Sequence, residues 1–143
     1  MRAQPTLETL LEANAQFYRA FEALDARELI AMWESSDRVY CVHPGWNPLV
    51  GYEPVVKSFR RILDSTSRIQ FSLSQVQGHV MDNIGVVTLI ETVSSRVGDA
   101  SQAASTAVTN LFAFDATSGA WKIFHHHASN AVPADIPPLD VLN

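Results

Sequence analysis

Apolar residues recur at Leu7, Leu10, Leu11, Phe17, Tyr18, Phe21 and Leu24, and this three-and-four spacing lays them along one stripe of a helix. Thr6, after Pro5, is placed to cap it. Asp25 followed three residues later by Glu28 is an aspartate version of the capping box, so a second, short helix is expected to carry Leu29, Ile30 and Trp33. The run Arg38–His43 is rich in β-formers (Val39, Tyr40, Cys41, Val42), and Pro44-Gly45 ends the ladder. GWNPLV, up to Gly51, reads as a loop. Pro54 suits the first turn of a third helix, on which Val55, Val56, Phe59, Ile62 and Leu63 share a face before Ser65-Thr66-Ser67 closes it.

Beyond that point the period changes from helix to strand. Ile69, Phe71 and Leu73 alternate with Gln70, Ser72 and Ser74, and the phase slips near Gln75-Val76 as a bulge would make it slip. Asp82-Asn83 is a turn into Ile84–Ser94, which is apolar on both parities, and Gly98-Asp99 marks the next reversal. Ala103–Phe114 and Trp121–Ser129 follow as strands joined by a hairpin loop at Asp115–Gly119. From about Asn130 the chain holds Pro133, Pro137 and Pro138 without periodicity and is expected to be an irregular arm. Helices in the first half and antiparallel strands in the second make an α+β fold: one curved antiparallel sheet wrapped on three helices.

Length and charge narrow the function. At 143 residues the chain is expected to form one domain, 1–143. Ten Lys and Arg against 15 Asp and Glu leave a net charge of -5, too few scattered cations to neutralise several phosphates, so nucleic acid is not an expected partner. No apolar run reaches the ~20 residues that span a bilayer, and acids interrupt the N-terminal segment; a cytoplasmic protein without membrane attachment is expected. The single Cys41 excludes an intrachain disulfide and a multi-cysteine zinc site, and reads as a small apolar strand residue.

The order helix, helix, strand, helix and four strands, with Asp25-Ala-Arg-Glu28 between the first two helices, HPGWNPLVGYEPV from His43 to Val55, and WKIFHHHAS from Trp121 to Ser129, resembles the nuclear transport factor 2-like superfamily, in particular its SnoaL-like branch. The resemblance spans roughly Leu7 to Ser129. It implies a cystatin-like cone whose three N-terminal helices and curved sheet enclose an apolar pocket, and a homodimer formed through the outer sheet. The last strand is also similar to the association domain of calcium/calmodulin-dependent kinase. Set against the ketosteroid isomerases, the helix tyrosine that donates to an oxyanion falls on Phe17, with Tyr18 one position on. The catalytic aspartate falls on His43 and the protonated aspartate near Asn110, so none of the three is kept. The superfamily hosts enzymes and binders alike, so the fold does not fix the function.

Candidate chemistry rests on histidine. His43, at a strand end beside Pro44-Gly45, would be a neutral base at pH 7 if buried, or alternatively would hold the GWNPL turn. Trp46 in that loop is a lip over a ligand or a cover for the core. In His125-His126-His127 the pleat sends 125 and 127 to one face and 126 to the other. Trp121 and Ile123 share parity with His125 and His127, and Lys122 with His126, so 125 and 127 are expected inward. Phe124 and Ala128 argue for the other face, which a dimer contact would cover. The isomerase resemblance favours Phe124 and His126 inward. Asn110, in an apolar run, orients a ligand carbonyl or is a satisfied core amide. Glu91 is expected to point outward, which leaves His43 and the last-strand histidines short of a ligand set, so no metal is expected. With neither a glycine-rich phosphate loop nor a Gly-x-Ser-x-Gly elbow, no cofactor is expected.

The combined expectation is a pocket protein for a small, largely apolar metabolite. Its acid/base residues would be His43 and His127, and Tyr18, Trp46, Asn110 and His125 would line the pocket. The corresponding chemistry is that of a cofactor-free isomerase, cyclase or lyase. The alternative is a non-catalytic ligand-sensing or oligomerisation module.

Overall fold

A computed structural model describes residues 4–132. Helix α1 (Leu7–Glu22) starts where expected: the Thr6 hydroxyl accepts from the Thr9 backbone N–H at 3.1 Å and the Thr9 hydroxyl accepts from Thr6 N–H at 3.2 Å. A carboxylate oxygen of Asp25 accepts from Glu28 N–H at 3.0 Å and opens α2 (Ala26–Ala31). Helix α3 (Tyr52–Ser65) turns Val55, Val56, Phe59 and Leu63 inward. The strands are β1 (Tyr40–Val42), β2 (Leu49–Val50), β3 (Arg68–Met81), β4 (Ile84–Val97), β5 (Ala100–Asp115) and β6 (Ala120–Asn130). They form one sheet in the order β2-β1-β6-β5-β4-β3. This is an α+β cone with three N-terminal helices on the sheet, as the sequence predicts.

Two features differ from the sequence reading. Part of GWNPLV is a strand: β2 pairs antiparallel with β1 through Tyr40–Val50 and Cys41–Leu49. The sheet is also mixed, because β1 runs parallel to β6, with Cys41 opposite His126. A three-residue strand separated from its neighbour by most of the chain carries no local mark of its direction. The bulge in β3 lies where the alternation slips, between Ser74 and Gln77, with Gln75 at φ 52°. The Gly98-Asp99 reversal between β4 and β5 uses Gly98 at φ 61°, in the left-handed region. The expected arm beyond residue 132 lies outside the described residues.

The core sits between α1 and the inner sheet face, with Phe17, Phe59, Phe112, Leu10 and Ile123 fully enclosed. Each such side chain contributes roughly 1.5–3 kcal/mol. Helix α1 lies directly on β4 at Gly85, where a Cβ would come within 2.5 Å of Leu10 Cδ1. That close approach places the second half of α1, with Asn14, Phe17, Tyr18 and Phe21, over the middle of the sheet.

Candidate functional site

The inner face of the sheet carries a line of polar side chains through the apolar core. On β5, alternation turns Thr106, Val108, Asn110 and Phe112 inward; on β4 it turns Val87, Leu89 and Glu91 inward. Asn110 is fully enclosed. Its amide nitrogen donates to Asn14 Oδ1 at 3.0 Å and to the Tyr18 hydroxyl at 3.3 Å, both on α1. Its amide oxygen lies 2.6 Å from His126 Nδ1. Glu91 borders the Tyr18 hydroxyl and faces Thr106 across the strand pair.

Burial raises the Glu91 carboxyl above its ordinary range, against the opposing pull of the Thr106 and Tyr18 hydroxyls. Burial likewise raises the Tyr18 phenol well above its usual value, helped by the Glu91 charge. Both inner imidazoles are pushed the other way by burial: His43 down to about 4 and His126 down to about 3, the latter also by the other histidines around it. At neutral pH the core therefore holds two uncharged imidazoles, an amide pair, a phenol and a carboxyl that resists ionisation.

At the other end of the line His43 follows β1. Its Nε2 is 2.9 Å from Ser58 Oγ, and the Ser58 hydroxyl donates to the Val55 carbonyl at 2.6 Å. Its ring lies edge-on to Phe59 at 4.9 Å and to Trp46 at 4.8 Å, and 6.4 Å from the His126 ring. Trp46, 41% exposed, covers this end from the loop.

The structure brings together Tyr18 with Asn110, and His43 with Trp46. It moves His125 and His127 to the opposite face, so their expected inward placement is corrected. His125 pairs with Leu111 and Ile123 with Phe112, so Phe124 is an extra residue in β6 and the alternation shifts by one. Trp121 and Ile123 point inward before the bulge; His126 and Ala128 do so after it. His125 stacks on Tyr40 at 4.8 Å, and with His127, Gln75, Gln77, Thr88 and Thr109 it borders an outer groove of about 600 Å³. Glu91, expected outward, is 6% exposed on the inner face. Its parity with Val87 and Leu89 is the signal that places it there. Asn14 was not singled out from the sequence, although it stands four residues after Leu10 and four before Tyr18, on the apolar stripe of α1. Among the described residues, no three His, Cys, Asp or Glu side chains are grouped to hold a metal ion. Nor is any helix among them long and apolar enough to cross a membrane.

The family profile of the SnoaL-like domain matches residues 10–135. Among solved structures, a proposed dehydratase of the nuclear transport factor 2-like family from Streptomyces avermitilis is 32% identical, with a TM-score of 0.81, covering 88% of this chain and 96% of that one. A proposed calcium/calmodulin-dependent protein kinase type II association domain from Thiobacillus denitrificans is 26% identical, with a TM-score of 0.73, covering 92% and 100%. A nuclear transport factor 2-like superfamily protein from Salmonella enterica serovar Typhimurium, 16% identical with a TM-score of 0.77 over 92% and 95%, shares the fold. No curated protein matches the chain.

Proposed function

The chain belongs to the SnoaL-like branch of the nuclear transport factor 2-like superfamily, and on that footing we propose that it binds a small, largely apolar molecule against its inner sheet face and moves a proton on it without a cofactor. The observation that carries this reading is the buried line His126–Asn110–Tyr18, with Glu91 beside Tyr18. An apolar core gains nothing in stability from so many buried polar groups, and each of them costs free energy unless it is paired. Neutral imidazole at pH 7 accepts a proton, and a carboxyl with a raised pKa can return one, which is the pairing that isomerisation or elimination next to a carbonyl requires. In this reading a ligand enters from the side of Trp46 and His43, whose ring lies 6.4 Å from that of His126, and Asn110 and Tyr18 hold its polar end. The likeness to a proposed dehydratase supports a lyase among these chemistries. The outer face, with His125 and His127, is read as the homodimer contact.

The test is a panel of small apolar ketones and β-hydroxy carbonyl compounds, followed by calorimetry for binding and by NMR in D₂O for proton exchange or loss of water. Binding is expected to weaken by about 1–3 kcal/mol in Asn110→Ala, and exchange is expected to vanish in His126→Gln. Binding without exchange would leave a ligand sensor. Neither binding nor exchange would favour the second reading, an oligomerisation module. Two observations support that reading: Phe17, Phe59 and Phe112 fill the interior, and the chain is similar to a kinase association domain.

A further inference from the structure

Hydrogen-bond direction along the inner line fixes which nitrogen of each buried histidine carries the proton. Asn110 has two N–H bonds to donate, and both have acceptors: Asn14 Oδ1 at 3.0 Å and the Tyr18 oxygen at 3.3 Å. The Tyr18 hydroxyl also borders Glu91. Only the amide oxygen of Asn110 is left to face His126 Nδ1, and an oxygen at 2.6 Å requires the nitrogen to donate. A neutral imidazole that donates from Nδ1 is bare at Nε2, and His126 Nε2 has no hydrogen-bond partner among the described residues. His43 is held the opposite way. Ser58 has one hydroxyl proton, spent on the Val55 carbonyl at 2.6 Å, so Ser58 Oγ accepts and His43 Nε2 carries the proton. The Cys41 sulfur lies beside the ring inside the core, 3.6 Å from Nε2 and 3.9 Å from the bare Nδ1.

We propose that Asn110, oriented by Asn14 and Tyr18 of α1, is a positioning residue that locks His126 in its Nδ1–H tautomer and thereby presents Nε2 as the proton-accepting atom of the site. This rests on the binding site proposed above and deepens it: of the two buried histidines, His126 is the one placed to take a proton from a ligand, and His43 is oriented for a supporting role. The amide of Asn110 can flip, and α1 is what stops it. With Asn14 presenting its amide oxygen, a flip of Asn110 alone would set oxygen against oxygen on the α1 side, so the orientation of Asn14 carries the lock.

The test is ¹⁵N NMR of the full chain labelled at histidine, without ligand, at pH 7. The expected spectrum shows His126 protonated at Nδ1 and bare at Nε2, with His43 the reverse. Asn110→Leu is expected to release His126 to the Nε2–H form. Asn110→Asp, which keeps an oxygen acceptor, is expected to retain the Nδ1 proton and to raise the pH at which Nε2 becomes protonated. In Asn14→Leu/Tyr18→Phe, with Asn110 intact, His126 is expected as a mixture of tautomers. A wild-type His126 protonated at Nε2 would overturn the proposal, as would loss of the Nδ1 proton in Asn110→Asp or an unmixed Nδ1–H form in the double variant. If Asn110→Leu melts below the working temperature, the wild-type and Asn110→Asp spectra decide. None of these readings uses a ligand, so a failed tautomer assignment is separate from a failed ligand screen.

Discussion

Lowering the pH from 7 to 5 is expected to cost this protein folding stability through two buried side chains. His43 and His126 are held neutral in the fold, pushed down to about 4 and about 3, whereas in the unfolded chain each titrates near ~6.5. Below that value the unfolded chain takes up protons that the folded chain cannot, so the stability is full above the unfolded pKa. It is lost as pH falls, until the folded-state pKa is reached. Each pH unit below the unfolded value costs ~1.4 kcal/mol per histidine, so at pH 5 each has removed ~2 kcal/mol and the pair ~4 kcal/mol. Glu91 acts with the opposite sign. Its raised carboxyl protonates more readily in the fold than in the unfolded chain, and acid relieves part of its burial cost. Glu34 and Asp115 are lowered, and the stability they contribute is lost only at still lower pH, outside this window. The assay is urea unfolding at pH 7 and pH 5, at fixed protein concentration, in a Glu91→Gln background that removes the opposing carboxyl. His126→Gln does not titrate, so it should cut the pH-dependent loss by about half; it should also lower stability at pH 7, because its amide stands in the place of Nε2 and leaves the Asn110 oxygen without the Nδ1 donor. A variant that loses as much stability between pH 7 and pH 5 as its parent would show that His126 is not held neutral, and the reasoning would fail.

Gly85→Ala should destabilise by ~1–3 kcal/mol, because the new methyl meets the enclosed Leu10. Gly78→Ala should cost less, since its nearest neighbour is the 48% exposed Leu7, which can swing away; equal losses in melting curves would refute the contrast. Sedimentation at micromolar concentration is expected to give twice the 15.8 kDa chain mass. The half-buried Val86, Ile90, Leu111 and Tyr40 lie on the outer sheet face and need cover, and a monomer would contradict this. His127→Gln should leave the affinity for any ligand found in the screen unchanged, whereas His126→Gln should lower it; calorimetry of both variants distinguishes the two faces. Chelation by EDTA should leave the melting temperature where it was, and a drop would reveal a stabilising metal.

The sequence by itself determined the elements and most of what faces inward. Side-chain spacing and capping are local, and the stripe of α1, the Thr6 and Asp25 caps, the face of α3 and the phase slip of β3 are each written within a few residues. Asn110 was legible as an amide in an apolar run and Tyr18 as a member of the α1 stripe, but that the two meet was not. Glu91 was read outward, because an acidic residue in a strand reads first as a surface charge, although its parity with Val87 and Leu89 pointed inward. The tertiary structure alone decided which of three consecutive histidines enters the core. Parity carries that information only along an unbroken ladder, and the extra residue at Phe124 breaks it, in a strand that pairs with β5 antiparallel on one side and with β1 parallel on the other. The tertiary structure also decided that Asn14 meets Asn110, 96 residues away, and that the bare nitrogen of His126 is Nε2. Hydrogen-bond direction is a property of a closed network, and no part of the sequence contains that network until α1 lies across the sheet.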